Sequence, residues 1–468
     1  MKTSRLRAMN KNQHILKSRD DKAPVQFEAV PDKDTFRLVK GAESSWAKDS
    51  EEFGTDKLRP RIEPWLTALF QSEHLALLAG SGLTHAIHGI ATNKGLPGMG
   101  KATFTEYGAE IDAKAKATAE AAGRNEGNIE DQLRVAKELL RGLEVLAPSN
   151  ADLKETYDKL KAELNDVLKS FASSILQGEK SLVTASEETR TLAFDYLVDF
   201  LMSFASRAGT RDRLQIFTTN YDRLIEAGAD VAGLHLLDRF VGSLAPVFRS
   251  SRLDLDMHYN PPGIRGEPRY LEGVARLTKL HGSVDWVNVG RHILRIGVPF
   301  GVDTIEPYLK APGLYESKAL DLMIYPNEAK DRETAAYPFI ELFRDFAASV
   351  CRPNSTLITF GYSFGDEHIN RVVEDMLTIP SAHVVIIAHG DSLGRIMKTY
   401  ERLGRHAQIT LLLGSHLGDL RTLVDNYLPK PAIDRTTFKM AELLKSRWGT
   451  NKAEGPETIA APDPPPNE

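Results

Sequence analysis

One cysteine, Cys351, stands in 468 residues. That scarcity excludes an intramolecular disulfide framework and any multi-cysteine zinc site, and it fits a reducing cytosol. Long apolar runs are missing as well. No stretch approaches the roughly 20 residues that span a bilayer, so no membrane partner is expected. An excess of positive charge is also absent. Lys and Arg number 59 against 64 Asp and Glu, for a net charge of −5, so nucleic acid is expected only through a partner that brings its own basic field. The first 22 residues do carry Lys2, Arg5, Arg7, Lys11, Lys17, Arg19 and Lys22, but no apolar segment among them. This excludes a secretory signal, fits a cytoplasmic protein, and reads as a solvated terminus.

What is present is an ordinary globular composition, 42% hydrophobic and 26% charged, in a chain long enough for one enlarged domain or two. Residues 1–60 read as a polar, aperiodic extension. At "EPWLTALFQS" (63–72) the spacing turns helical, with Trp65, Leu66, Leu69 and Phe70 on one stripe. "HLALLAGSG" (74–82) follows as a short buried strand running into a glycine turn. Five more segments share that character: "LQIFTTN" (214–220), "LTKLHG" (277–282), "TLITFG" (356–361), "HVVIIAHG" (383–390) and "QITLLLGS" (408–415). Such near-continuous apolar and β-branched runs suit parallel strands covered on both faces. Helical segments lie between them, including "YDRLIEAG" (221–228) and "EHINRVVEDMLT" (367–378). The pattern predicts an α/β fold, a doubly wound, mostly parallel Rossmann-like sheet of six strands in one domain over 61–430. The interval of about 100–213 is rich in Ala, Leu, Lys and Glu and reads as a helical insertion after the first strand. Residues 431–468 read as a C-terminal helix and a Pro-rich, disordered tail.

In an open α/β sheet, ligands bind beyond the carboxyl ends of the strands. Four of the expected strand ends carry polar or glycine-rich motifs. In "AGSGLT" (79–84), Gly80 and Gly82 either let backbone N–H groups approach a phosphate or simply make a tight strand-to-helix turn. The dehydrogenase fingerprint fails, because His85 stands where its third glycine belongs. In "TTNYD" (218–222), Asn220 and Asp222 either cap the next helix or hydrogen-bond ribose hydroxyls, a carboxamide or a water. In "LTKLHGSVDW" (277–286), His281 is either a general base or a structural imidazole, Asp285 orients the site or caps a turn, and Trp286 is core packing. In "GYSFGDEHIN" (361–370), Gly361 and Ser363 suit a phosphate or ribose, and Asp366 suits a helix cap. His368 and Asn370 read as surface positions.

Taken in order, these motifs resemble the sirtuin-like NAD-consuming family. "GSGLT" is similar to the sirtuin G-A-G-x-S loop, with Ser81 for Ala and Thr84 for Ser. "TTNYD" resembles T-Q-N-x-D, "HGS" (281–283) the catalytic histidine motif, and "GYSF" (361–364) the G-T-S contact. "KLHGSVDW" and "GYSFGDEHIN" look more like the bacterial antiphage branch than the deacetylases. Two departures matter: the four-cysteine zinc module is missing, and of G-I-P-D-F-R only "GLPGMG" (95–100) preserves a trace. The resemblance therefore implies NAD as substrate without zinc, cleaved to nicotinamide and ADP-ribose by an antiphage effector that depletes NAD. It implies a homo-oligomer, and for chains of this length a HerA-like hexameric DNA-translocating ATPase as partner. It assigns Asn220 and His281 to catalysis, and Gly80, Ser81, Gly82, Thr84, Thr219, Asp222, Gly361 and Ser363 to NAD binding. A deacylase or ADP-ribosyltransferase, and a non-catalytic NAD or ADP-ribose sensor, are the alternatives.

Overall fold

In the computed structural model, residues 12–430 are described, apart from 19–20, 97–99, 122–125, 206–211, 252–255, 260–268, 311–313, 315–320, 325–336 and 392. The expected C-terminal helix and tail, the first eleven residues and the middle of "GLPGMG" lie outside the described residues.

In chain order the strands begin with β1 (Gln13–Lys17), β2 (Val25–Ala29), β3 (Phe36–Leu38), β4 (His74–Ala79), β5 (Leu214–Thr218) and β6 (His235–Leu237). Short strands β7 (Phe240–Val241), β8 (Val247–Phe248), β9 (His258–Tyr259) and β10 (Arg269–Tyr270) follow. The remainder are β11 (Val274–Lys279), β12 (Gly282–Val289), β13 (His292–Arg295), β14 (Leu322–Ile324), β15 (Ser355–Phe360), β16 (His383–Ala388) and β17 (Ile409–Leu413). The helices are α1 (Thr55–Phe70), α2 (Ser81–Thr92), α3 (Gly108–Ala121), α4 (Ile129–Leu146) and α5 (Ala151–Val183). They continue with α6 (Glu187–Ala205), α7 (Leu224–Ala232), α8 (Phe339–Val350), α9 (Glu367–Met376) and α10 (Arg395–Leu403). Among the described residues no helix is long and apolar enough to cross a membrane.

All six expected strands are present and run parallel, in the order β17-β16-β15-β4-β5-β11. Their apolar runs have the expected cause, since residues alternate between two buried faces. Leu75, Leu77 and Ala79 of β4 join the core beneath α1, α2, α6 and α7. Ala76 and Leu78 join the core on the other side, beneath α8, α9 and α10. The chain runs outward from β4 through β5 to β11, then returns to place β15 on the opposite flank of β4. The strand order therefore reverses between β4 and β15, where a crevice opens at the carboxyl ends.

The six-strand expectation is corrected to a mixed sheet of ten. β6 adds a parallel edge beside β11, while β1, β2 and β3 extend the other edge antiparallel beyond β17. Gln13–Lys17, Val25–Ala29 and Phe36–Leu38 thus belong to the sheet. Their strands were hidden because β1 buries His14 and Lys17 completely, polar residues that break an apolar pattern. A separate antiparallel sheet, ordered β14-β12-β13-β8-β7, was also unforeseen, because most of its strands are only two to four residues long.

The helical interval divides in two. Ala193, Leu197, Phe200, Leu201 and Phe204 of α6 pack into the main sheet's core. By contrast α3, α4 and α5 build their own core with the small sheet, uniting Leu133, Leu164 and Phe171 with Val284, Val287 and Leu322. The start of α4 is fixed by a reciprocal cap in which the Asp131 N–H donates to Asn128 Oδ1 (3.1 Å) and the Asn128 N–H to Asp131 Oδ2 (2.9 Å). The N-terminus of α4 and the last third of α5 face the crevice.

Candidate active site

A cavity of about 470 Å³ occupies the crevice, within the size range of cofactor pockets. Gly80, Ser81, Thr84, Thr219, Asn220, Asp222, His281, Gly361 and Ser363 line it, so four strand ends deliver all the expected site residues but Gly82. The insertion roofs it with Glu130 and Asp131 of α4 and with Phe171 and Glu179 of α5.

The glycines have a packing reason of their own. A Cβ on Gly80 would stand 2.5 Å from the Gly361 carbonyl oxygen, and one on Gly82 would stand 2.5 Å from Gly361 Cα. Gly361 itself sits at φ +62°, a left-handed conformation that favours glycine. The loops after β4 and β15 therefore touch backbone to backbone. The Gly80 N–H donates to Phe360 O (2.9 Å) and the Gly82 N–H to Gly361 O (3.1 Å), so both are used inside the protein.

Behind the glycine turn, three polar side chains form one network. Asn220 Nδ2 donates to Gly80 O (3.0 Å) and to Thr84 Oγ1 (3.0 Å). Thr84 Oγ1 donates in turn to Asp222 Oδ2 (2.8 Å). With both Nδ2 protons committed, the atom Asn220 offers a ligand is its acceptor, Oδ1. Asp222 Oδ1 accepts from the Leu224 N–H (3.1 Å) at the start of α7. The capping and site readings of "TTNYD" are thus compatible in one side chain. Lys279 anchors the turn from below, donating to the Asp222 carbonyl and to Glu226 Oε1 (3.0 Å).

His281 sits in the short link between β11 and β12, one residue beyond Leu280, whose N–H donates to Thr218 O (2.8 Å). Its Nε2 lies 2.8 Å from Asp366 Oδ2. Asp366 also caps α9, its Oδ1 accepting from the N–H groups of His368 (3.0 Å) and Ile369 (3.4 Å). Tyr221 stands with its ring centroid 6.4 Å from that of His281 and donates its hydroxyl to Glu130 Oε1 (2.9 Å). Burial raises the Tyr221 phenol well above its ordinary range, with Glu130 adding to the rise, so it is a donor at any working pH. Asp285 and Trp286 are both buried, Trp286 packing on Phe240. Asn370, expected at the surface, is buried instead and donates from Nδ2 to Phe364 O (3.1 Å), bracing the loop after β15.

Three lining residues had no sequence cue. Glu179 of α5 receives Arg223 through the backbone N–H (2.9 Å), Nε (3.2 Å) and Nη2 (2.5 Å). Glu130 arrives from α4. Arg395 opens α10, with its guanidinium against Gly365, and it is the one permanently cationic side chain among the described lining residues. Among the described residues, no group of three His, Cys, Asp or Glu is placed to hold a metal ion.

The model of the SIR2-like domain matches residues 214–411. Residues 214–411 are thus similar to a SIR2-like domain. The match runs from β5 into β17 and so takes in the Asn220, His281 and Ser363 motifs, a little under half of the chain. It omits β4, although β4 lies between β5 and β15 in the sheet and contributes the glycine turn. The sheet of the matched segment is therefore completed by a strand some 130 residues upstream, on the far side of the insertion. A SIR2-like domain implies NAD-related chemistry and suggests an NAD-consuming enzyme. No curated protein matches the chain.

Proposed function

We propose that this protein hydrolyses NAD at the bond between nicotinamide and ribose, releasing nicotinamide and ADP-ribose. The observation that carries this reading is the convergence of Asn220 and His281, from different strand ends, on one cavity beside the glycine turn of β4. The bond breaks through an oxocarbenium-like transition state, which calls for positioning and electrostatic support more than for a strong nucleophile. Asn220 Oδ1 accepts a hydrogen bond from the attacking water and holds it near the anomeric carbon. The water oxygen bonds to that carbon, nicotinamide leaves with the bonding pair, and His281 takes the proton. Asp222 meets the nicotinamide carboxamide; its carboxylate has lone pairs beyond the two engaged by Thr84 and Leu224. The turn of Gly80, Ser81 and Thr84, kept close to the loop after β15 by Gly82, holds the ribose and pyrophosphate together with Thr219, Gly361 and Ser363. Arg395, beside Gly365, supplies positive charge for the phosphates.

In this reading residues 61–430 act as one catalytic domain, and α3–α5 are its cover. The antiphage setting, depletion of cellular NAD, homo-oligomerisation and a HerA-like ATPase partner draw their support from the resemblance of "KLHGSVDW" and "GYSFGDEHIN".

The test is to incubate the full chain with NAD, alone and with a HerA-like ATPase and DNA, and to follow nicotinamide and ADP-ribose. Asn220→Ala and His281→Ala are each expected to lower the rate by about two to four decades. Turnover at the wild-type rate in both variants would remove their assigned roles. NAD loss only when an acylated peptide or protein acceptor is supplied would favour the deacylase or transferase alternative, and NAD bound yet recovered intact would favour a sensor.

A further inference from the structure

Asp366 is 3% exposed and divides its carboxylate between two tasks. Oδ1 caps α9, and Oδ2 lies 2.8 Å from His281 Nε2. The loop that carries it is braced on both sides, with the Tyr362 hydroxyl donating to Asp366 O (3.3 Å) and Asn370 Nδ2 to Phe364 O (3.1 Å). We propose that Asp366 is a positioning residue for His281: it keeps the ring's proton on Nε2, which makes Nδ1 the atom that accepts the proton during turnover. The tautomer is argued from the contact between Nε2 and the Asp366 carboxylate, and the role in turnover rests in addition on the NAD-cleaving reading.

An ionised carboxylate only accepts, so the Nε2 facing it carries the hydrogen. A neutral imidazole has one N–H, which leaves its lone pair on Nδ1. When Nδ1 takes a proton, the resulting imidazolium already faces a buried carboxylate, which stabilises the charge as it forms. The helix cap gives the arrangement a built-in control. Asn caps helices about as well as Asp. To keep the cap, Asn at 366 must turn its oxygen to the α9 N–H groups and its NH2 toward His281. That donor demands a lone pair on Nε2 and drives the proton to Nδ1. Asp366→Asn should therefore fold normally and hold the histidine in the wrong tautomer, while Asp366→Ser keeps a cap but no longer reaches the ring.

Ring ¹⁵N shifts of the full chain labelled with ¹⁵N-histidine read the tautomer directly, with His281 identified by the resonance lost in His281→Gln. In the neutral wild-type ring, Nε2 is expected to be protonated and Nδ1 bare. In Asp366→Asn the proton is expected on Nδ1, and in Asp366→Ser the neutral ring is expected as a mixture of the two tautomers. A wild-type ring protonated on Nδ1, or a tautomer unchanged in both variants, overturns the proposal. With NAD, Asp366→Asn should lose about two to four decades in kcat, while KM stays within about threefold. An unchanged kcat and pH profile in an active preparation would likewise overturn it. If the wild type does not turn over NAD, the NAD reading fails while the ring shifts still decide the role of Asp366.

Discussion

Arg223 and Glu179 join the cover to the floor of the site. Arg223 follows "TTNYD" directly and Glu179 lies near the end of α5, yet the arginine meets the carboxylate through three separate nitrogens. Its guanidinium also donates to the carbonyls of Val298 and Pro299. Both side chains are buried, and burial pushes the Glu179 carboxyl up while Arg223 limits the rise. Removing one partner strands a buried charge, which typically costs about 3–5 kcal/mol. Glu179→Ala should therefore lower stability in urea by that amount. A Glu179→Ala/Arg223→Ala double variant should lose clearly less than the two single losses added together. Strict additivity would show that the pair does not couple the two parts.

Thr84 stands between the other two members of the polar network, accepting from Asn220 and donating to Asp222. Thr84→Val preserves shape and removes both bonds, leaving the Asn220 amide free to turn. NAD cleavage is expected to fall by about ten- to a hundredfold, mostly in kcat, because misplacement of a positioning group acts on the reacting geometry. Thr84→Ser keeps the hydroxyl and should restore most of the rate. Equal rates for the Val and Ser variants would mean that the hydroxyl does not position the site.

The parallel sheet was legible because burial on both faces writes a continuous apolar run, as in "HVVIIA", where every residue after His383 is buried. β1 was not legible, because His14 and Lys17 put polar atoms inside. "SVDW" turned out to be a strand that starts one residue after His281, at Gly282 with φ +85°; local pattern does not announce so abrupt a restart. In the site, Asn220 and His281 could be singled out because strand ends are where α/β folds collect ligands. Glu130, Glu179 and the second task of Asp366 could not. They reach the site through tertiary packing of helices far away in sequence, and they look like ordinary helical charges and caps. The role of Gly82 was legible only in part, since its need for a bare backbone comes from Gly361, 279 residues away.

The contact between the two glycine loops makes Gly361 the least replaceable of the three glycines. Alanine there would set its Cβ 2.5 Å from Gly82 Cα and would also hold a positive φ. Strain of this kind costs about 1–3 kcal/mol, and overpacking adds a similar amount. Gly361→Ala should unfold at clearly lower temperature and lose NAD affinity, whereas Gly95→Ala, where a Cβ meets nothing within 4 Å, should do neither. Equal melting temperatures for the two variants would contradict the packing account.

Stability should fall in mild acid because of two histidines of the main sheet, buried His14 on β1 and half-buried His383 on β16. Burial lowers the His14 ring from 6.5 to about 4, with nearby His416 and His389 adding to the effect. Burial lowers His383 likewise from 6.5 to about 4, helped by Lys17. His383 Nε2 lies 2.8 Å from Thr410 Oγ1, which accepts from Trp65 Nε1 (2.9 Å) and has its hydroxyl proton to offer an unprotonated ring nitrogen. Both folded pKa values lie below the unfolded value, so the contribution is intact above about pH 6.5 and is lost as pH falls toward about 4. Each histidine then costs about 2–3 kcal/mol. Urea unfolding measured between about pH 7 and 4.5 should show this decline, with most carboxylates still ionised over much of the range. His14→Gln/His383→Gln should flatten it, whatever it does to stability at neutral pH. A wild-type stability that stays level over that window would show that neither ring resists protonation in the fold.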